Sequence, residues 1–174
     1  MTSNEPGHTR ILGSLRSADG KGVVRMEDRF NTDIDDLWSA LTDPRRLARW
    51  YGQVEGDLRV SGEYRAHLLA SGWEGTGRVE ACEPPRRLLV TMTPGRPNVP
   101  VTVLEATLAA DGDQAILVVE DRGMPLGLLA AYGAGVQIHV EDLAAHIAGR
   151  ERCDADARFG ELHPYYQDLS AKVS

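Results

Sequence analysis

The chain has 174 residues, enough for one hydrophobic core and too few for two comfortable ones. Its 26 acidic residues outnumber 19 basic ones, and a net charge of -7 repels phosphate backbones and anionic membrane surfaces, which argues against a nucleic-acid partner. Two well-separated cysteines, Cys82 and Cys153, exclude a disulfide framework or zinc knuckle, and no stretch approaches the roughly 18 apolar residues that a membrane span needs.

Residues 1–9, polar and holding Pro6 and Gly7, read as a flexible tail with no secretory leader, so a soluble, cytoplasmic protein without membrane insertion is expected. "RILGSLRS" and "VVRMEDRF" then flank "ADGKG", where Asp19-Gly20 suits the positive-φ turn of a β-hairpin. In the second strand Val24, Met26 and Phe30 share one face, and Arg25, Glu27 and Arg29 the other. Next, Ile34, Leu37, Trp38 and Leu41 stand at i, i+3, i+4 and i+7, an amphipathic helix that Thr32 and Asp35 would open with capping-box spacing. Asp43 and Pro44 start a second, short helix. It turns Leu47 and Trp50 inward and leaves Arg45, Arg46 and Arg49 as a solvated outer face.

From Val54 to Asp121 the period is that of strands, punctuated by turn residues at short intervals, as in an antiparallel meander. Tyr64, Ala66 and Leu68 alternate with Glu63, Arg65 and His67; Leu88, Val90 and Met92 with Leu89, Thr91 and Thr93; Leu104, Ala106 and Leu108 with Val103, Glu105 and Thr107. With the hairpin this makes six or seven strands. The nearly continuous apolar run "AILVVED" belongs in the middle of the sheet. Glu105, Glu120, Asp121 and His67 are expected to face outward, where charge belongs.

The helical period returns with Leu129, Tyr132, Val136, Val140, Leu143 and Ile147, a helix of more than five turns that stops at Gly149. Gly133 and Gly135 each weaken it by on the order of 1 kcal/mol relative to alanine, which points to close packing or a bend. Residues 151–174 place Phe159, Leu162, Tyr166 and Leu169 on one side with Pro164 interrupting, a kinked helical extension docked on the body.

This order, hairpin, two short helices, meander, long helix, specifies an α+β fold in which a curved antiparallel sheet wraps around one long helix and leaves a cavity. "FNTDIDDLWSALTDPRRLARWYG", "DLRVSGEYRA", "SGWEGTGRV", "RRLLVTM" and "YGAGVQIHVEDLAAHIAG" resemble the START-like helix-grip SRPBCC superfamily, and within it the branch named after the activator of the ninety-kilodalton heat-shock protein's ATPase. The resemblance covers residues 10–150, a single helix-grip domain, with 151–174 packed on it. It implies a seven-stranded sheet around a C-terminal helix with an apolar cavity between them. Members bind lipids, sterols, polyketides and plant hormones, and a minority act as cyclases or hydrolases. The chain departs from the branch at Val136, usually Trp, which would leave room against the sheet, and at Ser61, commonly Gly.

Trp50, Tyr64, Trp73, Met92, Tyr132 and Val136 are the candidate cavity lining, each also compatible with plain core packing. His139, Asp142 and His146 have a spacing that can gather metal ligands, but nothing is placed to complete a site and Asp142 reads as a solvent-facing residue, so neither metal nor cofactor is expected. His139 borders the apolar stripe. It could orient a ligand or move a proton, although the plainer reading is an imidazole satisfied by a backbone carbonyl. No nucleophile elbow, dinucleotide loop or P-loop occurs, and Cys82 lacks the basic neighbours of a reactive thiolate. The leading expectation is a binding protein, more a carrier than an enzyme, for a small hydrophobic or amphipathic ligand (lipid, polyketide-like or aromatic). A chaperone-associated interaction module and a cyclase- or hydrolase-like enzyme using His139 are the alternatives, and a homodimer or a protein partner stays open.

Overall fold

The computed structural model describes residues 10–174; the tail expected over 1–9 lies outside them. Strands β1 (Gly13–Ala18) and β2 (Lys21–Phe30) form the opening hairpin, and Asp19 and Gly20 take φ of 53° and 77° in its turn. Helix α1 (Ile34–Thr42) follows, then α2 (Pro44–Trp50). The cap of α1 is Asp33, whose carboxylate accepts the Asp36 N–H at 2.8 Å, so the expected Thr32–Asp35 box is displaced by one residue. A short aspartate carboxylate reaches that amide directly, and the Thr32 hydroxyl instead donates to the Asp36 carboxylate at 2.7 Å. Asp43 ends α1 through its backbone N–H and starts α2 through its carboxylate, which accepts from the Arg45 N–H at 3.0 Å.

Strands β3 (Gly52–Gly56), β4 (Glu63–Leu68), β5 (Glu74–Glu83), β6 (Arg87–Pro94), β7 (Thr102–Asp111) and β8 (Gln114–Met124) complete one antiparallel sheet of eight strands, ordered β1-β2-β8-β7-β6-β5-β4-β3. That is more than the six or seven expected, because a strand as short as the five-residue β3 offers too little alternation to count. As expected, β8 lies in the sheet interior, between β2 and β7. Register shifts at Gly22/Val23 and Val79/Ala81 mark bulges, which bend strands and add twist. After a single turn at Leu126–Leu128, α3 (Leu129–Ile147) lies across the sheet and packs chiefly on β1, β2 and β8. Val24, Met26 and Leu117 from the sheet and Leu129, Ala134 and Leu143 from α3 are almost fully buried in this core.

Helix α4 (Ala155–Ser170) runs through Pro164 without interruption. Proline removes the hydrogen bond to the Gly160 carbonyl, and both residues are exposed, where water can take that group. Leu162 and Tyr166 are the fully buried side chains of α4. The Tyr166 hydroxyl donates to Gln137 Oε1 and accepts the Gly13 N–H at 3.1 Å, while Gln137 Oε1 also accepts the Leu12 N–H at 3.1 Å. One buried tyrosine and one buried glutamine thus tie α3, α4 and the start of β1 together. Asp142, expected in solvent, is buried, because the chain reverses over it between α3 and α4 and it accepts the Cys153 N–H at 2.9 Å. Arg46 also leaves the expected solvated face, donating to the Asp36 carboxylate at 2.8 Å and to His146 Nε2 at 3.1 Å, and only Arg45 and Arg49 stay exposed.

The two α3 glycines differ in kind. A Cβ at Gly133 would stand 2.6 Å from Tyr166 Cδ1, whereas one at Gly135 meets nothing within 4 Å. Gly133→Ala is expected to destabilise the chain by about 1–3 kcal/mol through overpacking, and Gly135→Ala to stabilise it by on the order of 1 kcal/mol through helix propensity. Urea unfolding of the two variants side by side checks this, and equal effects would refute the distinction.

Candidate functional site

A cavity of about 740 Å³ lies between the sheet and α3, within the range of small-molecule sites. Helix α3 contributes Tyr132, Val136 and His139, at i, i+4 and i+7 on one face, and Gly135 opens bare backbone beside them. Across the sheet, Tyr64 pairs with Gly77 and Gly77 with Met92. Any Cβ at Gly77 would run into the Tyr64 ring, so glycine there lets the ring lie across β5, and the Tyr64 hydroxyl comes within 3.4 Å of Met92 Sδ. Trp73 enters from the loop between β4 and β5. Trp50 closes α2, its indole N–H donating to the Ala40 carbonyl at 3.0 Å.

The structure therefore brings all seven candidate residues, Trp50, Tyr64, Trp73, Met92, Tyr132, Val136 and His139, to one cavity wall. Trp50, Met92 and Val136 are at the same time buried core residues, so lining and packing are not alternatives for them. The metal-like triad does not converge. His139 borders the cavity, Asp142 holds the Cys153 amide and His146 accepts from Arg46. Among the described residues no three His, Cys, Asp or Glu side chains are grouped to hold a metal.

Two polar groups stand out in the wall. His139 Nδ1 is buried and makes no hydrogen bond among the described residues, which corrects the carbonyl-satisfied reading; its ring instead meets Tyr51 edge-on, centroids 5.0 Å apart. Burial lowers its pKa to about 4, so the imidazole is neutral at neutral pH. Asp121, expected outward, faces inward and is 8% exposed. Its parity along β8 is that of Ala115, Leu117 and Val119, and its cross-strand neighbours, Val24 and Leu104, are both apolar. Oδ1 of Asp121 makes no hydrogen bond among the described residues. Burial pushes this carboxyl up to about 7, opposed by the Thr102 hydroxyl and the Arg122 N–H. The guanidinium of Arg122 engages Glu105 at 3.0 Å and Glu120 at 3.2 Å, residues of opposite parity on the outer face.

Tyr51, Thr102 and Asp121 also line the cavity and were not among the sequence candidates. For Asp121 a signal existed in its parity with the buried residues of "AILVVED"; Tyr51 and Thr102 gave none. Burial raises the Tyr51 and Tyr64 hydroxyls, the latter to about 12, so both stay protonated donors. Cys82 borders the cavity as well, and burial moves its thiol upward, away from the reactive thiolate.

The profile of a family described as Activator of Hsp90 ATPase homolog 1-like protein matches residues 31–148. The chain is similar in structure to CalU16 from Micromonospora echinospora, at 25% identity and a TM-score of 0.75, over 92% of this chain and 96% of that one. DynU16, a protein in the dynemicin biosynthetic locus, is 28% identical with a TM-score of 0.68, over 76% of this chain and 50% of its own. The Bordetella parapertussis protein encoded by gene BPP1335 shares the fold at 20% identity and a TM-score of 0.69, over 91% of this chain and 92% of that one. No curated protein matches the chain.

Asp121 keeps its proton to about pH 7 in the fold, against 3.8 for a free carboxyl, so the fold is progressively penalised as pH climbs between those values. His139 has the opposite sign: between about pH 4 and 6.5 a rising pH stabilises the fold, since the unfolded imidazole holds the extra proton. Asp121→Asn is expected to exceed wild type in stability above about pH 7, by at most on the order of 4 kcal/mol, with the gain vanishing near pH 4. Thermal melts across pH check this; a gain independent of pH would show that the buried charge is not its cause.

Proposed function

Because the chain belongs to the Activator of Hsp90 ATPase homolog 1-like family, we propose that it is a binding protein that holds one small, largely apolar molecule between its sheet and α3. The observation that carries this reading is the cavity itself, whose wall is mostly aliphatic and aromatic, with two buried polar atoms, Asp121 Oδ1 and His139 Nδ1, left without a partner among the described residues. Cavities of this size surround a drug-sized molecule, and isolated polar groups in such a wall orient it. The place of DynU16 in a biosynthetic locus supports a ligand of the size of a biosynthetic product or intermediate.

His139 has an orienting role in this reading. Neutral at neutral pH, it can make one directed hydrogen bond to a ligand through the nitrogen that the protein leaves unbonded. Trp50, Tyr64, Trp73, Met92, Tyr132 and Val136 supply the apolar contact area.

A panel of aromatic, polyketide-like and lipid ligands screened by thermal shift, with native mass spectrometry, tests the reading. A ligand at about a hundred times its Kd should add about 2.7 kcal/mol, a rise of roughly 5–10 °C for a chain of this size. Gly135→Leu, at a lining position where a Cβ meets nothing within 4 Å, is expected to stay folded and lose that shift. A wild-type melting point that no apolar ligand raises, or full binding by Gly135→Leu, would overturn the proposal.

A further inference from the structure

An ionised carboxylate in an apolar wall is costly unless a cation pairs with it. Asp121 becomes such a group once it ionises: its cross-strand neighbours are apolar and its Oδ1 is engaged by no described residue. The cation next to it in sequence, Arg122, is spent on Glu105 and Glu120 on the far side of the sheet. The other ionisable residues along the cavity are Tyr51, Tyr64, Glu74, Cys82, Arg96, Tyr132 and His139. Of these Arg96 alone carries a fixed positive charge, and it is exposed in the loop between β6 and β7, outside the enclosed part of the wall.

We propose that the ligand is an amphipathic amine, its protonated nitrogen meeting the Asp121 carboxylate and its apolar body filling the cavity. The proposal rests on the cavity being the ligand site and adds the chemical class. A cation restores to Asp121 the partner that the fold withholds, and a charge-assisted hydrogen bond is about twice as strong as a neutral one. Trp50, Tyr51, Tyr64, Trp73 and Tyr132 line the same space, and aromatic rings can attract cations. Neutral His139 adds no repulsion to an incoming positive charge. A carboxylate ligand, by contrast, would face Asp121 with like charge and no enclosed counter-ion.

Three probes that share one apolar body, 1-naphthylmethylamine, 1-naphthylmethanol and 1-naphthoic acid, separate these cases by titration calorimetry in mildly alkaline buffer. Wild type is expected to bind the amine at least about tenfold more tightly than the alcohol, with the acid weakest. Asp121→Asn should bring amine and alcohol within about twofold of each other, mainly by weakening the amine. Asp121→Ser gives the same readout should the asparagine variant not fold. Equal affinity for amine and alcohol in wild type, or an amine preference that survives loss of the carboxylate, would overturn the amine assignment and leave the apolar-cavity reading standing. Binding of none of the three to wild type would count against both.

Discussion

A width mismatch governs this fold. Eight strands spaced by about 4.8 Å span roughly 34 Å, and a helix with its side chains is only about 10–12 Å across. A single long helix therefore cannot cover the concave face of the sheet. Helix α3 settles over β1, β2 and β8, and the short α1 and α2 close part of the remainder. The space left between these helices and the strands from β4 to β8 is the cavity. Its existence follows from geometry before any residue is chosen to line it.

The same mismatch locates the polar chemistry. Strand β8 runs along the border between the half of the sheet that α3 covers and the half that it does not. Leu117 and, four residues along the same face, Asp121 both border the cavity, and Asp121 Oδ1 has no hydrogen-bond partner among the described residues. Alternation on a strand forces Arg122 to the opposite face, so the protein cannot neutralise this carboxylate with its nearest cation. Ionising such a carboxyl costs stability, a cost that the proposed ligand would offset.

Much of this was legible in the chain. Asp19-Gly20 reports its turn, Asp43-Pro44 its helix start, and the spacing from Leu129 to Ile147 describes a helix whose bounds the structure reproduces. These features depend on neighbours a few residues away. Asp142 and Arg46 were misplaced because what covers them comes from elsewhere, the α3–α4 reversal in one case and His146 in the other. Asp121 differs in its reason: its charge suits the outer face, but its parity with Ala115, Leu117 and Val119 turns it inward. The departure at Ser61 also acquires a physical sense, since its φ of 69° is a conformation that glycine adopts without strain.

Asp43 serves α1 with its backbone and α2 with its side chain, so no linker separates the two helices. Their elbow cannot flex without breaking one cap or the other. Trp50, at the end of this elbow and bonded back to Ala40 in α1, is accordingly a fixed wall and a poor gate. The exposed lining residues Gly72, Glu74 and Arg96 lie instead on or beside the β4–β5 and β6–β7 connections, away from the elbow. If the cavity holds a ligand as proposed, these exposed rim loops and the buried Asp121 belong to different parts of the chain, so the rate of entry and the strength of holding could be tuned by separate substitutions.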